Sequence, residues 1–202
     1  MAFLLALVLL LVPARAETVR LMALGDSLTA GLGVEPQEAF PVKLEAALRA
    51  KGFDVAVENA GVSGDTTKGA LSRLDWAVDA DVDAVIVELG ANDALRGVDP
   101  VETHASLAAI VGKLRQRGIA VLIAGMKAPP NLGRSYGERF DEIFPRVAAQ
   151  SGVPLYPFFL EGVAAEPQLN QADGMHPNAS GVEEIVRRIL PTVEKLLRSL
   201  RA

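Results

Sequence analysis

Two kinds of hydrophobic pattern alternate along the chain. Short apolar runs closed by glycine or polar residues read as strands: Thr18–Leu24 (TVRLMAL, ending at Gly25), Phe53–Asn59, Val82–Gly90, Ile119–Gly125 and Val153–Phe159. Val82–Gly90 is almost wholly apolar, as a central parallel strand covered on both faces must be. Between these runs the apolar residues recur every three or four positions. Phe40, Leu44, Ala47 and Leu48 form one such stripe, closed by Gly52, and a short helix is predicted within Thr67–Val78. Another stripe, Leu107, Ile110, Val111 and Leu114, lies within a helix expected from Pro100 to Arg117. Tyr136–Gly152 reads as helical, with Pro145 kinking it or ending a turn. Ser180–Leu200 forms the last helix or helices. Five strands, each followed by a helix, predict a doubly wound, three-layer α/β/α sandwich around a five-stranded parallel sheet. Ligands of such sheets bind at the carboxyl ends of the strands, near the point where the strand order reverses.

Composition narrows the picture. The 202 residues are 50% hydrophobic and 22% charged, enough for one domain with a sizeable core. A net charge of −5 carries no electrostatic footprint for nucleic acid. The chain has no cysteine and two histidines, a poor ligand set for zinc, and no metal or other cofactor is expected. Residues 1–16 stand apart. The run MAFLLALVLLLV is too short to span a bilayer comfortably, and Ala14 and Ala16 in PARA match a signal-peptidase site. Met1–Ala16 is therefore read as a secretory signal peptide and residues 17–202 as the mature domain, periplasmic or secreted. The mature chain, with 19 basic and 25 acidic residues, carries −6. No other stretch is long and apolar enough to be a membrane span.

The chemistry-bearing residues fall just after strands. Ser27 follows the first strand, Gly64 (NAGVSGDTT) the second, Asn92 (LGAND) the third, and QADGMHPN the fifth. A serine hydroxyl needs a base, and the base needs an orienting partner. His104 sits on an amphipathic helix and reads as a surface or boundary histidine. His176 lies in a Gly174/Pro177 turn three residues after Asp173. Such a turn can fold the carboxylate onto Nδ1–H and leave Nε2 facing a serine. The N–H groups of Ser27 and Gly64 and the amide of Asn92 are candidate oxyanion donors. Each residue alone also reads as a turn or cap, and Asp26 reads as a holder of the serine turn. Four such features at one sheet edge point to one site.

Together the blocks GDSLTAG, NAGVSGDT, GAND and DGMHPN resemble those of the GDSL or SGNH hydrolases, over essentially the whole mature chain. The text ALRGVDP and PFFLEGV is most similar to the bacterial periplasmic branch, whose members are described as acyl-CoA thioesterase, lysophospholipase and arylesterase. The resemblance implies the flavodoxin-like SGNH-hydrolase fold and a serine hydrolase of carboxylic esters or thioesters working through an acyl-enzyme. It implies Ser27 as nucleophile, His176 as base oriented by Asp173, and Ser27, Gly64 and Asn92 as the oxyanion hole. Ala91 stands where the family often has glycine, and Met175 where it often has isoleucine. Neither GDSLT nor GVSGD makes the Gly-x-Ser-x-Gly elbow of α/β-hydrolases, and ALGDSLTAGLG does not match a dinucleotide-binding fingerprint.

The expected substrate is a small acyl or aryl ester or thioester, with a monomer the favoured state. Its acyl group is expected over the loops after the third and fourth strands, against Leu95, Met126, Pro129, Pro130, Leu132 and Tyr136. The segment Ala91–Asp99 reads as a loop with a hinge at Gly97. A carbohydrate deacetylase on the same fold is the alternative, and a non-catalytic binding module a more distant one.

Overall fold

The computed structural model describes residues 18–200, so the segment read as a leader lies outside the described residues. In chain order the elements are β1 (Val19–Gly25), α1 (Ser27–Ala30), α2 (Phe40–Ala50), β2 (Val55–Gly61), α3 (Thr67–Ala77), β3 (Ala84–Glu88), α4 (Ala91–Leu95), α5 (Pro100–Gln116), β4 (Ala120–Ala124), α6 (Arg134–Asp141), α7 (Ile143–Ser151), β5 (Leu155–Tyr156) and α8 (Ala179–Ser199). All strand pairs are parallel, in the order β2-β1-β3-β4-β5, which is the five-stranded sheet expected from the pattern.

The central strand explains the layering. All five residues of β3 are buried, so both faces of the sheet must be covered. Helix α2 packs on α8, while α3 packs on α5 and α5 on α7, giving two helical layers. Helix α8 buries Val182, Ile185, Ile189, Val193 and Leu196 at intervals of three and four, and runs on through Pro191.

Two elements are shaped by proline, the first as the sequence reading expected and the second not. The helix expected over Tyr136–Gly152 is two helices, parting at Glu142. Pro145 has no N–H to return to Asp141, and its ring crowds that carbonyl. Strand β5 pairs only through Leu155 and Tyr156, because Pro154 and Pro157 on either side have no N–H for the ladder. The helix-like turn expected to start at Ser27 is the one-turn helix α1, whereas α4 was missed and replaces the first half of the loop expected from Ala91 to Asp99.

The register aligns the strand ends. Gly61, Gly25, Glu88, Ala124 and Tyr156 form one row across the sheet. The order reverses between β2-β1 and β3, so the chain leaving β1 and the chain leaving β3 flank the switch point. Gly25 lies at this point, where there is no room for a side chain. A Cβ would meet the buried Thr29 hydroxyl and stand 2.7 Å from Glu88 Oε2. Gly25→Ala is therefore expected to destabilise the fold by about 3 kcal/mol, a fall in Tm of roughly 10 °C. A thermal melt checks this, and an unchanged Tm would mean that Thr29 and Glu88 can move aside.

Candidate active site

The serine turn is built by its neighbours. Asp26 caps α1, its Oδ1 accepting the Leu28 N–H at 3.0 Å, which is the turn-holding part expected of it. Ser27 is thereby the first residue of α1, at an end where backbone N–H groups lack helical partners. Helix α1 ends after one turn because Gly31 adopts the left-handed conformation, with φ +86°.

The histidine arrives from the far end of the chain. After β5, residues 157–178 return to the same sheet edge. Gln171 N donates to the His176 carbonyl at 2.8 Å, and Gly174, at φ +69°, donates to the Gln171 carbonyl at 2.9 Å. Asn170 and Pro177 form an antiparallel bridge. The Gln171 side chain joins this loop to the serine segment, donating to the Leu32 carbonyl at 2.7 Å. Asn178 caps α8 by accepting from Gly181 N at 3.0 Å, which fixes the loop's exit.

These supports bring Ser27 Oγ to 3.0 Å from His176 Nε2, and His176 Nδ1 to 2.6 Å from Asp173 Oδ2. Asp173 Oδ1 accepts the N–H groups of Met175 at 2.9 Å and His176 at 3.0 Å. The Met175 N–H, then the imidazole, hold the Asp173 carboxyl down to about 2, so it is ionised at any working pH. His104 lies far from this chain of contacts on α5, facing Arg139 and Arg146, in keeping with its reading as a boundary residue.

Asn92, on α4, also faces the serine turn, and its Nδ2 donates to Asp26 Oδ2 at 3.1 Å. Helix α4 is anchored from below by Asp93. That buried carboxylate accepts from the Thr67 N–H (2.9 Å), the Thr67 hydroxyl (2.5 Å) and the Thr103 hydroxyl (3.2 Å). Gly64 sits beside β1 rather than on the cleft wall. Val62 donates to the Gly25 carbonyl at 3.0 Å, and the Gly64 carbonyl accepts from Arg96 at 2.7 Å. Its φ of +83° suits glycine. The Arg96 contact and a Tyr136 hydroxyl bond to the Val98 carbonyl at 2.9 Å tie down both ends of the turn containing Gly97.

Ser27, Asn92 and His176 open onto a cleft of about 450 Å³. Leu95, Met126, Pro129 and Pro130 line it as expected. Leu132 and Tyr136 do not. Leu132 packs against the core, and the Tyr136 ring stacks on Phe140 at a centroid distance of 5.9 Å. The opposite wall comes instead from the segment after β5, with Phe158, Leu160, Ala164 and Ala165, and Lys127 is the one cationic side chain lining the cleft. The apolar PFFLEGV stretch carried this signal, since a two-residue strand leaves most of its apolar residues free to line something else.

Under the serine turn lies a pair of carboxylates. Glu88 ends β3 fully buried and Asp26 is fully buried above it. Burial pushes the Asp26 carboxyl up to about 6, against the pull of the Leu28 and Asn92 donors. Burial, then the charge on Asp26, push Glu88 well above the usual carboxylate range. The sequence reading passed over Glu88, whose signal is that it is the one acidic residue of the otherwise apolar stretch Ala84–Leu89.

Residues 23–183 match the family described as GDSL-like Lipase/Acylhydrolase. The chain is 41% identical over 194 residues to Esterase TesA of Pseudomonas aeruginosa, covering 96% of each chain. It is 40% identical over 166 residues to thioesterase 1/protease 1/lysophospholipase L1 of Escherichia coli K12, covering 82% of this chain and 77% of that one. The crystal structure of psychrotrophic esterase EstA from Pseudoalteromonas sp., inhibited by monoethylphosphonate, superposes with a TM-score of 0.84 at 30% identity, covering 89% of this chain and 98% of that one.

Proposed function

The chain belongs to the GDSL-like lipase/acylhydrolase family of ester hydrolases, and on that premise we propose that Ser27 is its nucleophile, His176 the general base and Asp173 the group that orients the base. The observation that carries this is the unbroken path from Ser27 Oγ through the imidazole to Asp173, at one end of an apolar cleft. His176 Nε2 takes the Ser27 proton as Oγ attacks the ester carbonyl. Asp173 keeps Nδ1 protonated and stabilises the imidazolium that forms. The N–H group of Ser27 and the Asn92 amide receive the oxyanion, and the Gly64 N–H, set back from the cleft lining, is its third candidate donor. The intermediate then collapses, and His176 protonates the departing alcohol or thiol. Water, deprotonated by His176, attacks the acyl-enzyme and releases the acid.

The apolar walls favour an acyl or aryl group over a sugar, and the relatives named as esterase and thioesterase/lysophospholipase favour carboxylic esters and thioesters. A rate on p-nitrophenyl octanoate above that on the acetate is expected, and the reverse order would favour the deacetylase reading. The test of the mechanism treats residues 17–202 with a fluorophosphonate and locates the adduct by mass spectrometry. The EstA structure is that of an esterase inhibited by monoethylphosphonate. An adduct on Ser27 that His176→Ala abolishes is expected. A folded sample with neither adduct nor turnover would sink the catalytic reading.

Export is the reading that the first 16 residues support, and N-terminal sequencing of protein recovered outside the cytoplasm should then begin at Glu17.

The pH profile should report two groups on its acid side. His176 must be free of its proton to act as base. Asp26 must be ionised to accept from both Leu28 and Asn92, and it takes up its proton as pH falls through about 6. The fall of kcat/KM with acid is expected to be steeper than one proton allows. Asp26→Asn should flatten it to a single ionisation, at lower activity throughout. A one-proton slope in the wild type would remove Asp26 from this role.

A further inference from the structure

Glu88 is buried without any counter-charge among the described residues. Only one of its oxygens has partners: Oε2 accepts from the Thr29 hydroxyl at 2.8 Å and from the Asp26 N–H at 3.4 Å, while Oε1 has none. Asp26 differs, because each of its oxygens receives a donor, Leu28 N–H on one and the Asn92 amide on the other. Two buried carboxylates this close cannot both stay ionised at neutral pH. An unpartnered anionic oxygen costs more than an unpartnered neutral one, so the proton belongs on the carboxyl with the poorer set of donors. The nearby cation does not alter this. Arg73 on α3 is engaged with Asp65 at 2.7 Å and with the carbonyls of Gly25 (3.2 Å) and Ala60 (2.9 Å). The charged and titratable groups facing the pair are thus Asp65 and Arg73, joined to each other, and His176 from across the cleft.

We propose that Glu88 is a positioning residue that works as a neutral carboxylic acid, holding Thr29 and the Asp26 N–H from beneath so that the pair's single negative charge stays on Asp26, where it orients the Asn92 amide. The protonation part stands on burial and hydrogen bonding alone. The positioning part rests on the reading of Ser27 and Asn92 given above. Glycine at position 25 belongs to the same arrangement, since Thr29 Oγ1 and Glu88 Oε2 fill the space that a side chain there would take. The arrangement sets the serine turn on a neutral acid at the end of the central strand, and leaves the charge one residue before the nucleophile.

Two measurements on the full enzyme test the proposal separately from the nucleophile assignment. The first is infrared difference spectroscopy of wild type against Glu88→Gln at pH 8. A protonated-carboxyl carbonyl band, present in wild type and lost in the variant, is expected. Its absence from wild type overturns the neutral acid whatever Ser27 does. The second is kinetics. Glu88→Gln, which keeps a neutral acceptor for Thr29, should hold kcat within about threefold and leave the acid limb of kcat/KM in place. Glu88→Leu, which removes the acceptor, should lower kcat at least tenfold with little change in KM. A downward shift of the acid limb in Glu88→Gln would mean that a negative charge had been removed, and would overturn the proposal. Equal losses in kcat for both variants, or a loss carried by KM, would overturn the positioning role. If Glu88→Leu does not fold, the Glu88→Gln pH profile and the infrared band still decide between the two protonation states.

Discussion

Ser27→Ala is expected to lower kcat on a carboxylic ester by about 10⁴-fold or more, His176→Ala by a comparable factor, and the double variant by no more than either alone. The reason lies in the 3.0 Å contact between Oγ and Nε2. The hydroxyl is a weak nucleophile until the imidazole takes its proton, and without the hydroxyl the imidazole has no proton to take. The two act as one device, so deleting either deletes the whole of it. What remains in each variant is the acceleration given by the oxyanion donors and by substrate binding. Steady-state rates on a p-nitrophenyl ester, with circular dichroism to show that each variant is folded, measure all three. Additive losses would mean that the two side chains serve different steps and would break the assignment. Asp173→Asn belongs to the same series. An amide in that place can accept from Nδ1–H, but it no longer offsets the imidazolium charge, so its loss should fall on kcat.

Asn92→Ala is expected to cost about 10²- to 10³-fold in kcat with KM little changed, because an oxyanion donor acts on charge that exists only in the transition state. The geometry makes Asn92 a stringent case. One amide hydrogen is already given to Asp26 Oδ2 at 3.1 Å, which fixes the plane of the amide and leaves the other hydrogen to the cleft. Asn92→Asp should be as damaging as alanine or worse. It would bring a second negative charge beside Asp26, in a place where the reaction itself creates one. Comparing kcat and KM for the two variants on one ester decides the matter. A loss confined to KM would place Asn92 in ground-state binding and would leave the oxyanion to the backbone N–H groups alone.

The sheet was legible because its strands obey strong rules. A buried central strand such as Ala84–Glu88 is apolar through Val87, and helices such as Pro100–Gln116 must show a stripe. The Ser27–His176–Asp173 contacts, the proposed triad, were legible because these residues follow strands and because only two histidines compete for the base. What escaped is what local pattern does not encode. Helix Ala91–Leu95 is held by Asp93 reaching Thr67 and Thr103, contacts between segments distant in sequence. Of the wall supplied by Phe158 and Leu160, Phe158 was assigned to a strand that two prolines cut short, and Leu160 to the loop after it. Tyr136 was read as a cleft residue, but its hydroxyl found a carbonyl at Val98 and its ring a neighbour in Phe140. For helix Ala91–Leu95 and for Tyr136, a long-range contact decided between readings that the local sequence left equally open.

The two halves of the catalytic path come from opposite ends of the chain, 149 residues apart, and this separation has a temporal meaning. During synthesis the serine emerges among the first residues of the domain and the histidine among the last. The growing chain can lay down β1, β2, β3 and β4 and fold much of the core while Ser27 still has no base. Hydrolytic competence arrives only when the segment after β5 swings back and Gln171 ties it to the Leu32 carbonyl. On the proposed assignment the nucleophile is therefore made first and armed last, and a chain that is still incomplete holds a serine with no base to activate it.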